Sequence, residues 1–170
     1  MTSSTLGVLL PVPAPYGPEL DGYRTALSGA VLETPAHITL VPPTDVPADT
    51  VPAVVEHLSA VAGACAPFAV RLRGTGTFRP TSPVVFVCVV AGISGCEELA
   101  RQARSGPLHS TPRFPYHPHV TIAHGLSDAA LDKAFDEQAS FDAHWWVDGI
   151  TLYENGSDGW GAVRRFPLGL

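Results

Sequence analysis

The segment Pro115-Tyr-His-Pro-His-Val-Thr-Ile-Ala-His-Gly125 carries the most informative pattern in the chain. Its β-branched run predicts a strand. On a strand, His119 and Thr121 point to one face and Val120 and Ile122 point to the other. The apolar face suits the core, whereas a polar pair on a core strand costs free energy unless its own face borders a cleft. The segment therefore predicts a strand with one buried face and one face open to a site.

The same pattern occurs earlier in the chain, at Pro35-Ala-His-Ile-Thr-Leu-Val41. Here His37 and Thr39 share one strand face, and the apolar residues that follow each of them share the other. The two motif histidines lie 82 positions apart in a chain of 170 residues. We therefore expect two related halves, each of which brings one histidine and one threonine to a shared site.

The composition describes a globular protein with little attraction for long nucleic acid. The length of 170 residues predicts one domain, 1–170, and an apolar content of 45 % argues against disorder. The net charge is −6, and Lys133 and nine arginines are the cations. A broad basic surface is therefore not expected, and DNA is not an expected partner. A small anionic ligand held in a local pocket fits this charge balance.

Cysteine usage and the start of the chain indicate the compartment. Cys65, Cys88 and Cys96 are odd in number and have no Cys-x-x-Cys spacing. Cys88 lies in an apolar run, which predicts a buried thiol in a reducing compartment. The segment 1–15 has no basic stretch, and a proline breaks its short apolar run. We expect a cytoplasmic monomer with no membrane partner.

Strand and helix patterns alternate along the chain. The nearly continuous apolar run 84–90 predicts a strand covered on both faces. Ser94 and Glu97 have the spacing of a capping box, and Ser127 is placed to cap a later helix. Near the end, segments around 150–152 and 163–168 predict an antiparallel pair around the turn 155–159. This order predicts an α+β protein rather than a doubly wound one.

Two histidines that face one site suggest paired proton transfer. The unperturbed pKa of histidine is about 6.5, so near neutrality one ring can be neutral and the other charged. The neutral ring accepts a proton from water while the charged ring donates one to a leaving oxygen. Threonine hydroxyls would bind the oxygens of a tetrahedral anion between the rings. Phosphodiester cleavage suits these groups, because its barrier depends on charge placement and on protonation of the leaving group.

The residues at 37–40 and 119–122, His-Ile-Thr-Leu and His-Val-Thr-Ile, resemble the paired HxTx motifs of the two-histidine (2H) phosphoesterase superfamily. This is the LigT-like group, also called the 2′-5′ RNA ligase or RNA 2′,3′-cyclic phosphodiesterase family. The resemblance covers nearly the whole chain. It implies a bilobal α+β fold, with two pseudo-symmetric lobes of antiparallel sheet plus helices around a central cleft. It also implies action on 2′,3′-cyclic phosphates of RNA ends or nucleotides without a metal or other cofactor, and in some members a 2′-5′ RNA ligase activity.

The resemblance assigns roles to particular residues of this chain. His37 and His119 become the catalytic acid–base pair, and Thr39 and Thr121 become the phosphate binders. We take His119 as the base toward water and His37 as the acid toward the leaving ribose oxygen. The chain departs from the family pattern at His124, where many relatives carry an arginine.

Loop arginines and a second strand pattern leave further assignments open. Arg79 and Arg113 lie in predicted loops and are, with His124, candidates to bind the substrate phosphate. His117 shares a strand face with His119, so His-x-His is an alternative zinc site of a metal hydrolase. A second alternative is a non-catalytic module that binds nucleotides or RNA ends on the same fold. Phe78, Tyr153 and Trp160 are candidates to stack on a base.

Overall fold

A computed structural model describes residues 2–169 and shows an α+β fold. The strands are, in chain order, β1 (Ser3–Pro11), β2 (His37–Pro47), β3 (Phe68–Thr77), β4 (Val84–Ala91), β5 (His119–His124), β6 (Asp142–Val147), β7 (Gly149–Gly156) and β8 (Gly159–Pro167). The α-helices are α1 (Tyr16–Ser28), α2 (Val51–Gly63), α3 (Ile93–Ala103) and α4 (Asp128–Glu137). Short 3₁₀ turns occur at Ala48–Thr50 and Gly106–Leu108.

The eight strands form one antiparallel sheet in the order β6-β3-β4-β5-β2-β1-β7-β8. The two motif strands, β2 and β5, are neighbours in the middle. Each is flanked by the strand that precedes it across a helix, β1 for β2 and β4 for β5. The two halves of the sheet therefore mirror each other about the central pair. This arrangement confirms the pseudo-symmetric lobes that the repeated motif predicts.

The side chains alternate between a buried face and a site face, as the sequence pattern predicts. Ile38 and Leu40 on β2, and Val120 and Ile122 on β5, belong to one hydrophobic core that extends through both halves. Helix α1 packs against β5, and α3 packs against β2, so each helix crosses to the other half's motif strand. This exchange of helices fixes the positions of the two motif strands relative to each other.

The structure corrects two details of the sequence interpretation and confirms a third. Helix α3 begins after Gly92, which adopts φ = 85° and has no capping side chain, so the Ser94–Glu97 capping box is wrong. A left-handed backbone, which favours glycine, starts this helix instead. Ser127 does cap α4, because its Oγ accepts a hydrogen bond from the backbone N–H of Ala130 at 3.2 Å. Strand β6 is an addition that the sequence pattern does not predict.

Within residues 2–169, none of the helices is long and apolar enough to cross a membrane.

Candidate active site

The two motifs meet at the centre of the sheet through one backbone pairing, Ile38 with Val120. Because the strands are antiparallel, this register places His37 opposite Thr121 and His119 opposite Thr39. All four of these side chains lie on the face away from the core, and all four are half-buried. The fold therefore brings the two histidines and the two threonines together on one surface, as the sequence predicts.

Both histidine rings are held in the same way. The Nδ1 atom of His37 lies 2.7 Å from the carbonyl oxygen of Pro35, and Nδ1 of His119 lies 2.6 Å from that of His117. A carbonyl oxygen only accepts hydrogen bonds, so each Nδ1 carries the proton and donates it. The Nε2 atom of each ring is left to accept or donate a proton on the site face. In this tautomer each ring can exchange a proton through Nε2.

Burial shifts both histidines toward the neutral form. Desolvation lowers the pKa of His37 and the pKa of His119, since burial disfavours the charged ring. The surrounding charges differ between the two. His117 and His37 further lower the pKa of His119, whereas Asp21 opposes the lowering at His37 and Arg24 adds to it. At His37 the effect of Arg24 is the larger of the two, so on balance the neighbouring charges lower the pKa of both rings.

Aromatic rings form a wall beside His119. The ring of Phe78 stands edge-on to the His119 ring with centroids 4.9 Å apart, and Phe86 lies 5.1 Å away. His117 packs against the same two phenylalanines, at 5.4 Å and 5.2 Å. Sequence reasoning missed Phe86. Its position on β4, directly opposite Thr121, follows from the strand pairing rather than from any local motif.

Cys88 belongs to the same wall. It pairs across the strands with His119 and is half-buried, not fully buried as the apolar run predicts. Burial raises the pKa of its thiol, so the group stays protonated and behaves as a small apolar side chain.

A comparison with protein-family models finds a match over residues 11–159 to the model described as the 2′-5′ RNA ligase superfamily. The match includes both motifs and most of the sheet. The chain belongs to this superfamily.

Related proteins match this chain over nearly all of its length, and the solved structures among them share its fold. A Staphylococcus aureus (strain Newman) protein named "Putative phosphoesterase" is 24 % identical over 167 residues, which is 96 % of this chain and 98 % of that protein. The crystal structure of E. coli LigT in apo form superimposes with a TM-score of 0.77 at 21 % identity, and covers 100 % of both chains. The crystal structure of TT0787 of Thermus thermophilus gives 0.71 at 23 % identity, over 96 % of this chain and 97 % of that one. E. coli LigT has also been solved complexed with phosphate, with 3′-AMP and with ATP.

His124 is the last residue of strand β5 and is exposed. It is the position at which this member of the 2′-5′ RNA ligase superfamily departs from the motif pattern. It lines a small crevice of about 120 Å³ together with Thr121, and with Arg24 and Ser28 from α1. The crevice opens because β2 begins at His37 and leaves the last residues of β5 without a strand partner on that side. His124 therefore lies near the motif threonine and near Arg24, whose guanidinium pairs with Asp21 at 2.9 Å.

The two loop arginines, Arg79 and Arg113, make their contacts with other parts of the structure. The Nη1 atom of Arg79 forms an ion pair with Asp132 of α4 at 2.9 Å, and its Nε donates to Oγ1 of Thr77 at 3.2 Å. These contacts hold Arg79 toward helix α4, and its role as a phosphate binder stays a prediction. The Arg113 guanidinium lies 5.7 Å from the ring centre of Phe114 in the exposed loop that precedes β5. This contact is with its own loop and does not bring Arg113 to the motif residues.

The other sequence-predicted aromatic residues differ in availability. Tyr153 is buried, with 9 % of its surface exposed, and the Trp160 ring covers Gly7, so both have packing roles. Phe78 is half-buried beside His119 and is the one that remains a candidate for contact with a base.

His117 is exposed and lies just before β5, not on the strand as expected, and its ring centroid is 5.5 Å from that of His119. Among residues 2–169 there is no group of three or more histidine, cysteine, aspartate or glutamate side chains arranged to hold a metal ion. Removal of metal by a chelator distinguishes the zinc alternative from the acid–base pair.

Proposed function

We propose that the protein hydrolyses a 2′,3′-cyclic phosphate on a nucleotide or at an RNA end in the cytoplasm, with His119 as base and His37 as acid. The observation that supports this proposal best is the matched orientation of the two rings. Each histidine donates Nδ1–H to the carbonyl of the residue two positions before it, and each leaves Nε2 on the shared face. Two such nitrogens on either side of one phosphorus would serve water and the leaving oxygen.

The proposed reaction is an in-line displacement at phosphorus. Nε2 of His119 takes a proton from water as the water oxygen forms a bond to phosphorus. The bond from phosphorus to one ribose oxygen breaks, and Nε2–H of His37 gives its proton to that oxygen. The product is a nucleoside phosphomonoester. The protons are then exchanged with solvent, so that His37 is again charged and His119 neutral.

The two threonines would bind the nonbridging oxygens of the phosphate. Thr121 is the strand neighbour of His37, and Thr39 is the strand neighbour of His119, so the two hydroxyls lie diagonally across the site. Hydroxyl donors fixed in this way stabilise the charge that builds on those oxygens in the transition state.

Substrate binding would favour the charged form of His37, which His37 needs in order to act as the acid. In the free protein, burial lowers the pKa of both rings, so neither is charged to the usual extent near neutrality. A phosphodiester carries one negative charge. At about 4 Å this charge is worth about 4 kcal/mol to an imidazolium at an effective dielectric constant of about 20. Near His37, the lowering of the pKa by Arg24 exceeds the rise caused by Asp21, so the bound phosphate itself would have to supply the charge that makes His37 the acid.

A nucleotide-sized substrate is consistent with the relatives. The LigT of E. coli, whose fold this chain shares, has been solved complexed with phosphate, with 3′-AMP and with ATP. Phe78 beside His119 would contact the base, because an aromatic face stacks on any base without requiring a particular sequence.

The direct test is an assay of the purified protein with adenosine, guanosine, cytidine and uridine 2′,3′-cyclic monophosphates, and with an oligonucleotide that ends in a cyclic phosphate. Chromatography separates the 2′- from the 3′-phosphate product and so identifies the leaving oxygen. We expect hydrolysis of at least one of these substrates, lost in His119→Ala. Saturable nucleotide binding without turnover would instead support a non-catalytic binding module. Joining of RNA ends, assayed with the same oligonucleotide and a 5′-hydroxyl partner, would reveal ligase activity.

A further inference from the structure

The two halves of the sheet are joined by very little backbone pairing at the point where the site lies. Within residues 2–169, Ile38 and Val120 form the one bridge between β2 and β5, whereas the outer strand pairs extend over five or more residues. Side chains must therefore help to set the position of one motif strand against the other.

On one side of this bridge, Tyr116 and Arg104 take the place of backbone pairing. The Tyr116 hydroxyl donates a hydrogen bond to the carbonyl oxygen of Thr39 at 2.8 Å. The Nε of Arg104 donates to the next carbonyl along β2, that of Leu40, also at 2.8 Å. The Arg104 guanidinium lies over the Tyr116 ring, 5.1 Å from its centre. Together they attach the chain that enters β5 to strand β2.

The attachment point lies three residues before His119. His117 lies between Tyr116 and His119, and its carbonyl oxygen accepts the Nδ1–H of His119 at 2.6 Å. Pro118, which follows His117, is buried and limits the freedom of the backbone. We propose that Tyr116 is a positioning residue for His119. By holding its segment to the backbone of Thr39, it keeps the His117 carbonyl in the place that fixes the ring's tautomer and direction.

His37 has a corresponding device, built from other residues. The Nη1 atom of Arg24 donates to the carbonyl of Thr34 at 3.1 Å, three residues before His37. Asp21 accepts the backbone N–H of Ala36 at 2.8 Å and pairs with Arg24 at 2.9 Å. In both cases, the residue three positions before the histidine is held by a contact that involves an arginine. This recurrence supports a positioning role for Tyr116 beyond ordinary packing.

Burial of Tyr116 suits this role. Desolvation raises the pKa of Tyr116, so its hydroxyl remains a hydrogen-bond donor throughout the working pH range. Burial lowers the pKa of Arg104, yet arginine stays charged in proteins, and its contact with the Tyr116 ring and the Leu40 carbonyl persists.

Tyr116→Phe tests the proposal because it removes one hydroxyl and keeps the ring under Arg104. The control is Tyr16→Phe, which makes the same change in a half-buried tyrosine at the start of α1. The first readout is ¹⁵N NMR of the histidine rings without substrate. Tyr116→Phe should reduce the share of the Nδ1–H tautomer of His119 and leave His37 unchanged, and Tyr16→Phe should change neither.

The second readout is the split between kcat and KM, and it rests on the proposed function. Tyr116→Phe should lower kcat about tenfold, the effect expected of one hydrogen bond, with KM within about twofold of the parent value. An unchanged tautomer of His119 in folded Tyr116→Phe would overturn the positioning role. If the parent protein hydrolyses no cyclic phosphate, the proposed reaction fails, while the NMR comparison still decides the role of Tyr116.

Discussion

Ile38 pairs with Val120 at the centre of the sheet, and this pairing sets the register of the two motif strands. It relates the two motifs by an approximate two-fold axis, so that each histidine faces the other motif's threonine. Neither half of the site is complete without the other. The two histidines should therefore behave as a unit in catalysis rather than as independent contributors.

The first prediction concerns that unit. His37→Ala and His119→Ala should each lower kcat by about 10²- to 10⁴-fold, the usual contribution of a positioned acid or base. The double variant should be little slower than either single one, because each proton transfer depends on the other. Steady-state kinetics on the best cyclic-phosphate substrate measures all three.

His109→Ala is the matched control for these variants, since His109 is exposed and lies in the loop that follows α3. It should retain parent activity. Strictly additive losses in the double variant, or full activity in either single variant, would contradict the acid–base pair.

The second prediction is a pH optimum of kcat/KM below about 6.5, the ordinary pKa of histidine. The base works in its neutral form, above its pKa, and the acid works in its charged form, below its pKa. Burial lowers both values in the free protein, so the range in which one ring is neutral and the other charged moves to acid pH. The profile of kcat/KM against pH from 4.5 to 9 measures this. An optimum above 7.5 would show that other groups titrate in the reaction.

The third prediction links the same shifts to stability. A histidine whose pKa is lowered by folding takes up its proton more readily in the unfolded chain. The contribution of these histidines to the free energy of unfolding should then be complete above a pH of about 6.5. It should decrease as the pH drops through their pKa values in the folded protein. Urea unfolding at pH 7.5 and 5.0 gives the difference. The double variant His37→Asn with His119→Asn should show a smaller difference than the parent, and an equal one would assign the effect to other groups.

The fourth prediction is that turnover survives exhaustive chelation. The proposed steps use imidazole and hydroxyl groups alone, so dialysis against EDTA should leave kcat within about twofold of the parent value. Activity lost to chelator and restored by zinc would favour the His117-x-His119 alternative. His117→Gln then distinguishes the two cases, because it removes a zinc ligand and keeps a polar side chain that can pack against Phe78 and Phe86.

The sequence predicts the centre of this molecule better than its surroundings. Alternation in the two motifs places His37, Thr39, His119 and Thr121 correctly, because strand geometry alone determines which side chains share a face. The repeat then implies the symmetric sheet. Contacts between residues that are far apart in the chain are not predictable in this way. Tyr116 and Arg104 contribute through contacts with β2, and no local pattern indicates them.

The features that the sequence does not reveal have equally specific causes. Strand β6, at an edge of the sheet, alternates between exposed and buried side chains, but its outward-facing residues include Trp146, so the sequence lacks apolar–polar alternation there. Its pairing partner, β3, is far away in the chain. Arg79 has the sequence of a free loop cation, yet α4 supplies Asp132 as its partner from 53 positions away. In both cases the deciding neighbour is distant in sequence, so a pattern within a short window cannot reveal it.

The last prediction concerns His124, the position at which the chain departs from the family motif. It is exposed, and shares a crevice with Thr121 and Arg24. An arginine there could bind a phosphate through two parallel hydrogen bonds, whereas a histidine offers one donor to the same oxygens. If His124 contacts the substrate phosphate, His124→Arg should lower KM and His124→Gln should raise it, each with little change in kcat. Steady-state kinetics on the parent and both variants measures this. A His124→Gln variant with the parent's KM would show instead that His124 lies at the edge of the site without binding the phosphate, which Thr39 and Thr121 would then hold.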